Sequence, residues 1–210
     1  FANRGDVAGY QDGPAQQASL NTIYGLNFAV AKDDTVFVAD SANHRIRKIG
    51  GNMVSTFAGS GNGATIDGEG IFCSFFFPSE IAINSIGQLF VWQRDGKVRI
   101  VDRNGKVSTT SAIKDGGPPA LFDDHDNLYV TLGNSVIQYD QSFQQRLSFF
   151  TEQRVGGLAI DKSNNLFISD PGASKIFIVR LGQSQPLNPP ASLEIKLYPG
   201  VTITGTPGQT

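Results

Sequence analysis

The chain contains an internal repeat, and a fixed repeat period limits the possible folds more than any other feature of this sequence. Four segments align without gaps over their first half. In each segment a small or apolar residue precedes an aromatic residue by eight positions, and successive aromatic residues are 53, 39 and 38 positions apart. The aligned pairs are Ala29 with Phe37, Ala82 with Phe90, Leu121 with Tyr129, and Ala159 with Phe167.

Each repeat consists of short β-type runs separated by turn residues, and helical periodicity is essentially missing. The first repeat shows the pattern in the runs FAV, VFVA, RIRKI and VSTF, which are split by Lys, Asp, Ser, Asn and Gly residues. Four short antiparallel strands in roughly 40 residues are typical of one blade of a β-propeller. The sequence therefore predicts an all-β fold, a β-propeller with about four four-stranded blades, at about 21–59, 75–113, 118–150 and 154–180.

The linkers between the repeats are also similar to one another. Residues 1–20 resemble residues 57–75, so we expect residues 1–4 to be the last strand of an earlier blade. In each linker an Asp whose side chain can cap a turn precedes a Gly that can adopt positive φ. These turn residues are Asp12 with Gly13, Asp67 with Gly68, and Asp115 with Gly116.

After the last repeat the composition changes. Residues 181–192 are rich in proline and small polar residues, which indicates a linker. Residues 193–210 form an extended β tail with two strand-like runs, LEIKLY and VTITGT. This tail either closes the last blade as its fourth strand, pairs with the sheet edge of another chain, or begins another module. Its sequence LYPGVTITGTPGQT is similar to the start of β-sandwich modules in large secreted bacterial proteins.

Charge and composition argue against two classes of partner. The chain has 17 basic and 19 acidic residues and a net charge of −2, so we expect no nucleic-acid partner. No run approaches the roughly 18 to 20 apolar residues of a spanning helix, so we expect no membrane insertion. The single cysteine, Cys73, excludes an internal disulfide and fits a buried small residue better than a nucleophile.

The polar corner inside VFVADSANHRIRKI, residues 36–49, is the first candidate for chemistry. A metal or acid–base site needs several converging groups, and this corner offers one carboxylate and one histidine. The alternative is a set of structural loop braces. In that interpretation Asp40 accepts backbone N–H groups, Asn43 adopts the left-handed conformation and His44 donates or accepts a hydrogen bond, and Asp170 repeats the role of Asp40 in the fourth repeat.

Two further groups of residues are candidates for ligand binding. The run DDHDN at 123–127 resembles a calcium loop in composition but lacks its spacing, and it aligns with turns of the other repeats, so we expect a turn and no metal site. An aromatic ring beside guanidinium groups suits sugar or protein recognition, although core packing also explains the tryptophan. The candidate ligand or partner contacts are Trp92, Arg94, Arg45 and Arg47, of which Arg45 and Arg47 face away from Ile46 along their strand.

The stretch VADSANHRIRKI, followed by VSTFAG and a linker that contains Asp-Gly, resembles the NHL repeat. This resemblance spans about residues 1–180 and implies a propeller module that most often has six blades. Only the fourth repeat keeps an equivalent of Asp40, namely Asp170, and the later repeats lack the Asn-His-Arg triplet. Four blades are fewer than six, so a closed ring requires upstream blades, a smaller propeller, or neighbouring subunits. An open arc would instead expose the apolar faces of its end blades, and exposed apolar patches of that size favour binding to a partner.

We expect a scaffold with no cofactor and no enzymatic activity, because the sequence offers no cluster of histidines and carboxylates. The resemblance implies that it is part of an extracellular or cell-surface bacterial protein. Its partners are proteins, including copies of itself, and the more specific hypothesis is self-assembly into a fibre or surface layer through the terminal strands. One alternative is a glycan- or protein-binding module that uses the propeller's loop face. Another is a lyase or hydrolase, which would require a cluster of histidines and carboxylates.

Overall fold

The computed structural model describes residues 9–22 and 27–181. These residues form seventeen β-strands in four antiparallel sheets, together with the 3₁₀ helices Ser41–Asn43 and Gly70–Phe72. The prediction of an all-β β-propeller with about four blades is confirmed. Within this described part, none of the helical segments has the length and apolar character needed to cross a membrane.

The chain divides into two units, residues 1–114 with sheets 1 and 2, and residues 115–210 with sheets 3 and 4. In sheet 1 a meander of four strands pairs with an additional two-residue strand from the preceding segment. Its strands are β1 (Gly13–Pro14), β2 (Phe28–Val30), β3 (Val36–Asp40), β4 (Arg45–Gly50) and β5 (Met53–Ala58). They lie in the order β1-β5-β4-β3-β2.

Sheet 2 repeats this five-stranded arrangement. Its strands are β6 (Gly68–Glu69), β7 (Pro78–Ile83), β8 (Leu89–Gln93), β9 (Val98–Val101) and β10 (Lys106–Thr110). They lie in the order β6-β10-β9-β8-β7. In both sheets the short first strand lies in the segment that leads into the meander, and it pairs with the outer edge of the last strand. We call residues 9–22 the first connector and residues 59–77 the second connector.

Sheets 3 and 4 lack such an additional strand among the described residues. Sheet 3 is the meander β11 (Gly117–Phe122), β12 (Leu128–Leu132), β13 (Ser135–Tyr139) and β14 (Gln145–Phe150). Sheet 4 has three strands, β15 (Gly157–Ile160), β16 (Asn165–Asp170) and β17 (Lys175–Arg180). The predicted strand at residues 1–4 and the predicted tail at 193–210 lie outside the described residues.

The hydrophobic core of each unit lies between the faces of its two sheets. In the first unit Phe37 and Ile46 of sheet 1 pack with Leu89 and Val91 of sheet 2, and Phe75 of the second connector completes the cluster. In the second unit a separate cluster contains residues of sheets 3 and 4, namely Tyr129, Val136, Val155, Leu166, Ile168, Phe177 and Val179. Three aromatic residues of the repeat, Phe37, Phe90 and Tyr129, are buried because they lie on an inner strand covered on both faces, whereas Phe167 is only partly buried.

Five turns between neighbouring strands have the same local structure. In each, an Asp or Asn side chain accepts a backbone N–H bond from a residue further along the turn, and a residue one or two positions before the next strand has positive φ. Such Asx turns satisfy backbone groups locally and reverse the chain in four or five residues. The capping residues are Asn84, Asp102, Asp123, Asp140 and Asp161, and the positive-φ residues are Gly87, Gly105, Asp126, Phe143 and Asn164.

Candidate functional site

The corner between β3 and β4, residues 40–47, carries the densest polar contacts of the first unit. Its middle is the 3₁₀ helix Ser41–Asn43, and His44 ends that helix in the left-handed conformation with φ +54°. Asn43 was expected to adopt that conformation, but the helical turn includes it, so the reversal falls one residue later. Asn43 instead donates hydrogen bonds to both carboxylate oxygens of Asp40 at 2.9 Å and to the carbonyl of Gly9 at 2.7 Å.

Arg47 joins this corner to the first connector. Its fully buried guanidinium donates Nη1 to Asp40 Oδ2 at 2.8 Å and to the Ser19 carbonyl at 3.0 Å. Its Nη2 donates to the Gln11 carbonyl at 3.0 Å and forms an ion pair with Asp12. A buried guanidinium is stable only when acceptors surround it. The bonds of Arg47 therefore hold the connector against strands β3 and β4.

Arg99 has the same position in sheet 2 and makes an equivalent set of bonds. It is fully buried, and its Nη1 donates to the Ser74 carbonyl at 2.8 Å and to Gln93 Oε1 at 3.2 Å. Its Nη2 donates to the Ile66 carbonyl at 3.0 Å and to Asp67 Oδ1 at 2.8 Å. We call Arg47 and Arg99, each with its connector acceptors, the arginine latches.

The Asp-Gly pairs of the connectors belong to these latches. Asp12 also accepts the Thr56 N–H at 3.0 Å, and Asp67 accepts the Thr109 hydroxyl at 2.8 Å, so each carboxylate links its arginine to the edge strand. Gly13 has φ +137°, which favours glycine. A Cβ at Gly68 would lie 2.8 Å from the Phe72 carbonyl. The third predicted pair, Asp115 with Gly116, lies outside these latches: Gly116 has φ +87°, and the Asp115 carbonyl accepts the Tyr139 hydroxyl.

Sheets 3 and 4 have no arginine at the latch position. Arg47 lies opposite Val38, and the residues with the matching register are Ile137, opposite Val130, and Phe177, opposite Ile168. Both replacements are buried apolar side chains. The latch is therefore a property of the first unit.

Asp170 in sheet 4 keeps the position of Asp40 but has different donors. Its side chain is fully buried and accepts backbone N–H bonds from Gln153 at 2.8 Å and Ala173 at 3.0 Å. These hydrogen bonds help hold the pKa of Asp170 below its ordinary value, against the opposing effect of burial. The geometry fits the predicted role as a loop brace.

His44 and Arg45 extend from the same corner to the second connector. Arg45 Nη2 donates to the Ser60 carbonyl at 2.7 Å, and its guanidinium lies 3.9 Å from the centre of the Tyr10 ring. His44 Nδ1 accepts the Phe77 N–H at 3.2 Å, and the two rings meet edge to face. Because the same corner contacts both connectors, it fixes the segments that enter and leave sheet 1.

The four predicted contact residues differ in accessibility. Trp92 is 4% exposed and Arg47 is 0% exposed, so neither presents a side chain to a large ligand. Arg47 does face away from Ile46, but the first connector covers that face of the sheet. Arg45 is half-buried by its contacts with Tyr10 and Ser60, and Arg94 is exposed.

The acidic run at 123–127 is a turn of the type described above. Asp123 Oδ1 accepts the N–H groups of His125 and Asn127, and its Oδ2 accepts the Asn127 amide and the Tyr129 hydroxyl. Side-chain atoms of Asp123, Asp124 and His125 lie within 4.8 Å of one another, which is close enough for shared metal coordination. The oxygens of Asp123 are nevertheless engaged by four donors, and that arrangement is the one a turn requires.

Cys73 is completely buried in the core of the first unit. Its Sγ donates to the Gly70 carbonyl at 3.1 Å, and burial raises its pKa. A thiol in that state is a poor nucleophile. The interpretation of Cys73 as a packing residue fits this environment.

Arg99 and the pairing of both arginines with the linker aspartates were not predicted from the sequence. The sequence does contain a pattern that indicates this pairing. Asp12 precedes Arg47 and Asp67 precedes Arg99 by similar numbers of residues, and the edge strand that follows contains a Thr in both repeats. The third and fourth repeats lack the arginine.

Comparisons with known proteins identify the fold and no family. No family model matches the sequence, and no curated protein matches it. Virginiamycin B lyase from Staphylococcus aureus has a similar structure, with 14% identity, a TM-score of 0.56 and coverage of 85% of this chain and 57% of that one. A gluconolactonase from Xanthomonas campestris has 19% identity, a TM-score of 0.51 and coverage of 74% and 59%.

A protein of unknown function from Bacteroides thetaiotaomicron is also similar, with 15% identity, a TM-score of 0.54 and coverage of 83% of this chain and 45% of that one. The chain thus spans about half the length of these solved structures. At this level of identity the likeness establishes the β-propeller fold, and the NHL family itself is not shown.

The expectation that the chain has no enzymatic activity requires correction. Two of these structures with the same fold are a lyase and a gluconolactonase, so the propeller is a scaffold that carries catalysis in other proteins. A fold of this kind does not exclude enzymatic function, because activity depends on the side chains placed on it.

We predict that Arg47→Met destabilises the protein by about 3–5 kcal/mol, because it leaves the buried Asp40 carboxylate without its charge partner. The neighbouring exposed residue provides the control, and Lys48→Met should change the free energy of unfolding by less than about 0.5 kcal/mol. Urea unfolding followed by tryptophan fluorescence measures both values. Similar small effects for the two variants would contradict the latch.

We predict that His44 makes the protein less stable in mild acid. Burial and the positive charge of Arg45 lower the pKa of His44 below its ordinary value of 6.5. The unfolded chain therefore binds the proton first, so the stabilisation is complete above pH 6.5 and is lost as the pH falls towards the folded pKa. Urea midpoints between about pH 7 and pH 5 should fall less steeply in His44→Gln than in the wild type, and equal slopes would contradict this prediction.

Proposed function

We propose that this chain is a protein-interaction scaffold in which a partner adds a strand to the outer edge of β14. The observation that carries the proposal is the contrast between the units. The outer edges of β5 and β10 are paired with β1 and β6, whereas no described residue pairs with the outer edge of β14. An edge strand offers unpaired N–H and C=O groups that another chain can use.

The side chains at the end of β14 favour a protein partner. Phe150 is 53% exposed and Leu132 is 53% exposed, and both lie opposite Ser135, so they are close on one face of sheet 3. Exposed apolar groups next to an open edge provide contacts for the alternating side chains of an added strand. A second copy of this chain is the first partner to test.

The resemblance to the NHL repeat supports a scaffold role for a larger bacterial protein outside the cell. The four blades of this chain and the open edge of β14 support assembly of copies into a fibre or surface layer. In this proposal the contacts between copies rely on main-chain hydrogen bonds, so they require few specific side chains.

We predict that the molecular mass of the wild-type protein in solution rises with concentration and that Phe150→Lys suppresses this rise. A lysine on an edge strand opposes pairing because its charge would be buried in the added sheet. Ile86→Lys is the matched control, since Ile86 is 56% exposed in a turn of the other unit, and it should assemble like the wild type. Light scattering after size-exclusion chromatography measures the mass, and a wild-type protein that stays monomeric would refute assembly between copies.

Catalysis is the second candidate function, and the similar lyase and gluconolactonase structures favour it. Within the described residues, His125 Nδ1 lies 2.7 Å from Asp124 Oδ1 in an exposed position, a pair suited to proton transfer. The purified chain should be incubated with virginiamycin B and with gluconolactone, with products followed by mass spectrometry. Turnover that disappears in His125→Ala but persists in His44→Gln would support this candidate, and no turnover of either compound would contradict it.

A further inference from the structure

The second connector exposes three large apolar side chains that lie close together in the chain. Phe72 is 81% exposed, Ile71 is 60% exposed and Ile66 is 52% exposed. Ile71 and Phe72 belong to the 3₁₀ helix Gly70–Phe72, and Ile66 lies on the facing limb of the same loop, where its main chain is hydrogen-bonded to that of Ser74. Single exposed apolar residues are ordinary, but a cluster of three indicates a binding surface. We call Ile66, Ile71 and Phe72 the apolar tip.

The first connector shows that the fold does not require apolar residues at these positions. The two connectors have the same local structure, since Gln11 is bridged to Ser19 in the same antiparallel manner as Ile66 to Ser74. Each connector also contributes the short strand that pairs with the edge of its sheet. At the positions of the apolar tip the first connector has three exposed glutamines, Gln11, Gln16 and Gln17. The apolar side chains of the second connector are therefore not needed to build the loop.

The latch of Arg99 holds the apolar tip in place. Its buried guanidinium donates to the Ile66 carbonyl at 3.0 Å and to the Ser74 carbonyl at 2.8 Å, so one side chain holds both limbs of the loop. Between these limbs the Gly70 N–H donates to the Gly105 carbonyl at 3.0 Å, which ties the 3₁₀ helix to the turn before β10. A partner that binds the tip does not have to order the loop, and binding to such a preorganised surface costs less conformational entropy.

The charges beside the apolar tip favour a second copy of this chain as the partner. Glu69 directly precedes the 3₁₀ helix and lies opposite Lys106 in the β6–β10 pair, and both residues are exposed. Arg103 is exposed in the turn that contains Gly105, the residue bonded to the helix. A surface with both signs beside an apolar centre is self-complementary, because a two-fold axis can place Glu69 of one copy opposite a basic residue of the other. An anionic membrane would instead select an excess of basic residues.

We propose that the apolar tip is the contact surface of a transient, two-fold symmetric dimer, in which the second connectors of two copies of this chain pack against each other. Phe72 is the central aromatic anchor, because it is the most exposed of the three side chains. Contacts made by so few side chains bury less than the roughly 1,200 Å² of a stable interface, so we expect the dimer to dissociate readily. This goes beyond the proposed function, because the contact lies in the first unit and uses side chains instead of the main-chain edge of β14.

Sedimentation equilibrium of the full-length chain carrying Phe150→Lys tests the dimer, because that substitution opposes strand addition at β14. A transient dimer dissociates on a chromatography column, whereas sedimentation equilibrium keeps the protein concentrated. We expect this parent protein to show a monomer–dimer equilibrium, and added Phe72→Gln to raise the dissociation constant on the order of tenfold or more. Glutamine is the residue of the first connector at this position, so the variant should fold. Ile86→Gln, at another exposed position of the first unit, is the control and should leave the equilibrium unchanged.

Three other outcomes overturn the proposal. One is a Phe150→Lys protein that stays monomeric at every concentration, and another is a Phe72→Gln variant that dimerises as tightly as its parent. The third is binding of the parent, but not of the Phe72→Gln variant, to phosphatidylcholine vesicles without any dimer, because the tip would then serve a lipid surface. Strand addition at β14 is tested separately, by the mass of the wild-type protein against that of Phe150→Lys.

Disulfide trapping provides a second readout in the full-length chain. A cysteine near a two-fold axis meets its counterpart in the other copy, so Ile71→Cys should form a disulfide-linked dimer under mild oxidation. The matched control is Gln16→Cys, which places a thiol at the equivalent exposed position of the first connector. Cys73 does not interfere because it is completely buried. We expect Ile71→Cys to cross-link at least roughly tenfold faster than Gln16→Cys, because the dimer raises the local concentration of its thiols, and equal rates would contradict the proposal.

Discussion

The two buried arginines are the interaction on which the first unit depends. A guanidinium without exposure to water is stable only if acceptors surround it, and Arg47 and Arg99 take most of theirs from the connectors. Removing a connector would leave a buried charge with few partners, at a cost of several kcal/mol. The strands and the connectors are therefore stable only together, which makes the packing of sheets 1 and 2 cooperative.

The same interaction determines which sheet edges are covered. Asp12 and Asp67 bind the arginines and also reach the edge strands through Thr56 and Thr109, so each latch holds a short strand against β5 or β10. In sheets 3 and 4 the arginine position holds buried apolar side chains, and no such strand is described. The presence of the arginine thus coincides with a covered edge: each sheet with a latch has a short strand on the outer edge of its last strand, whereas no described residue pairs with that edge in sheets 3 and 4.

Much of the fold was predictable because it depends on local patterns. Alternating residues identified the strands, and Asp and Gly identified the turns, since both signals act over a few neighbours along the chain. The site was harder to predict. Periodicity shows which way Arg47 points, but it does not show that a connector covers that face of the sheet. The pattern also did not predict that Trp92, on an inner strand, is only 4% exposed. The left-handed residue of the corner is His44, because the 3₁₀ helix includes Asn43 and moves the reversal along by one position.

The way this chain uses its polar groups also limits where function can lie. Asp40, Arg47 and Arg99 are engaged with strands and connectors, and Asp123 is engaged within its turn, so a ligand that competed for them would have to break the structure. Binding or catalysis must therefore use groups that the fold leaves accessible. In the second unit these include the main chain of β14 with Phe150 and the exposed pair His125 and Asp124. We propose the first for joining another strand and the second for proton transfer, and neither role would require breaking the hydrogen bonds that stabilise the fold.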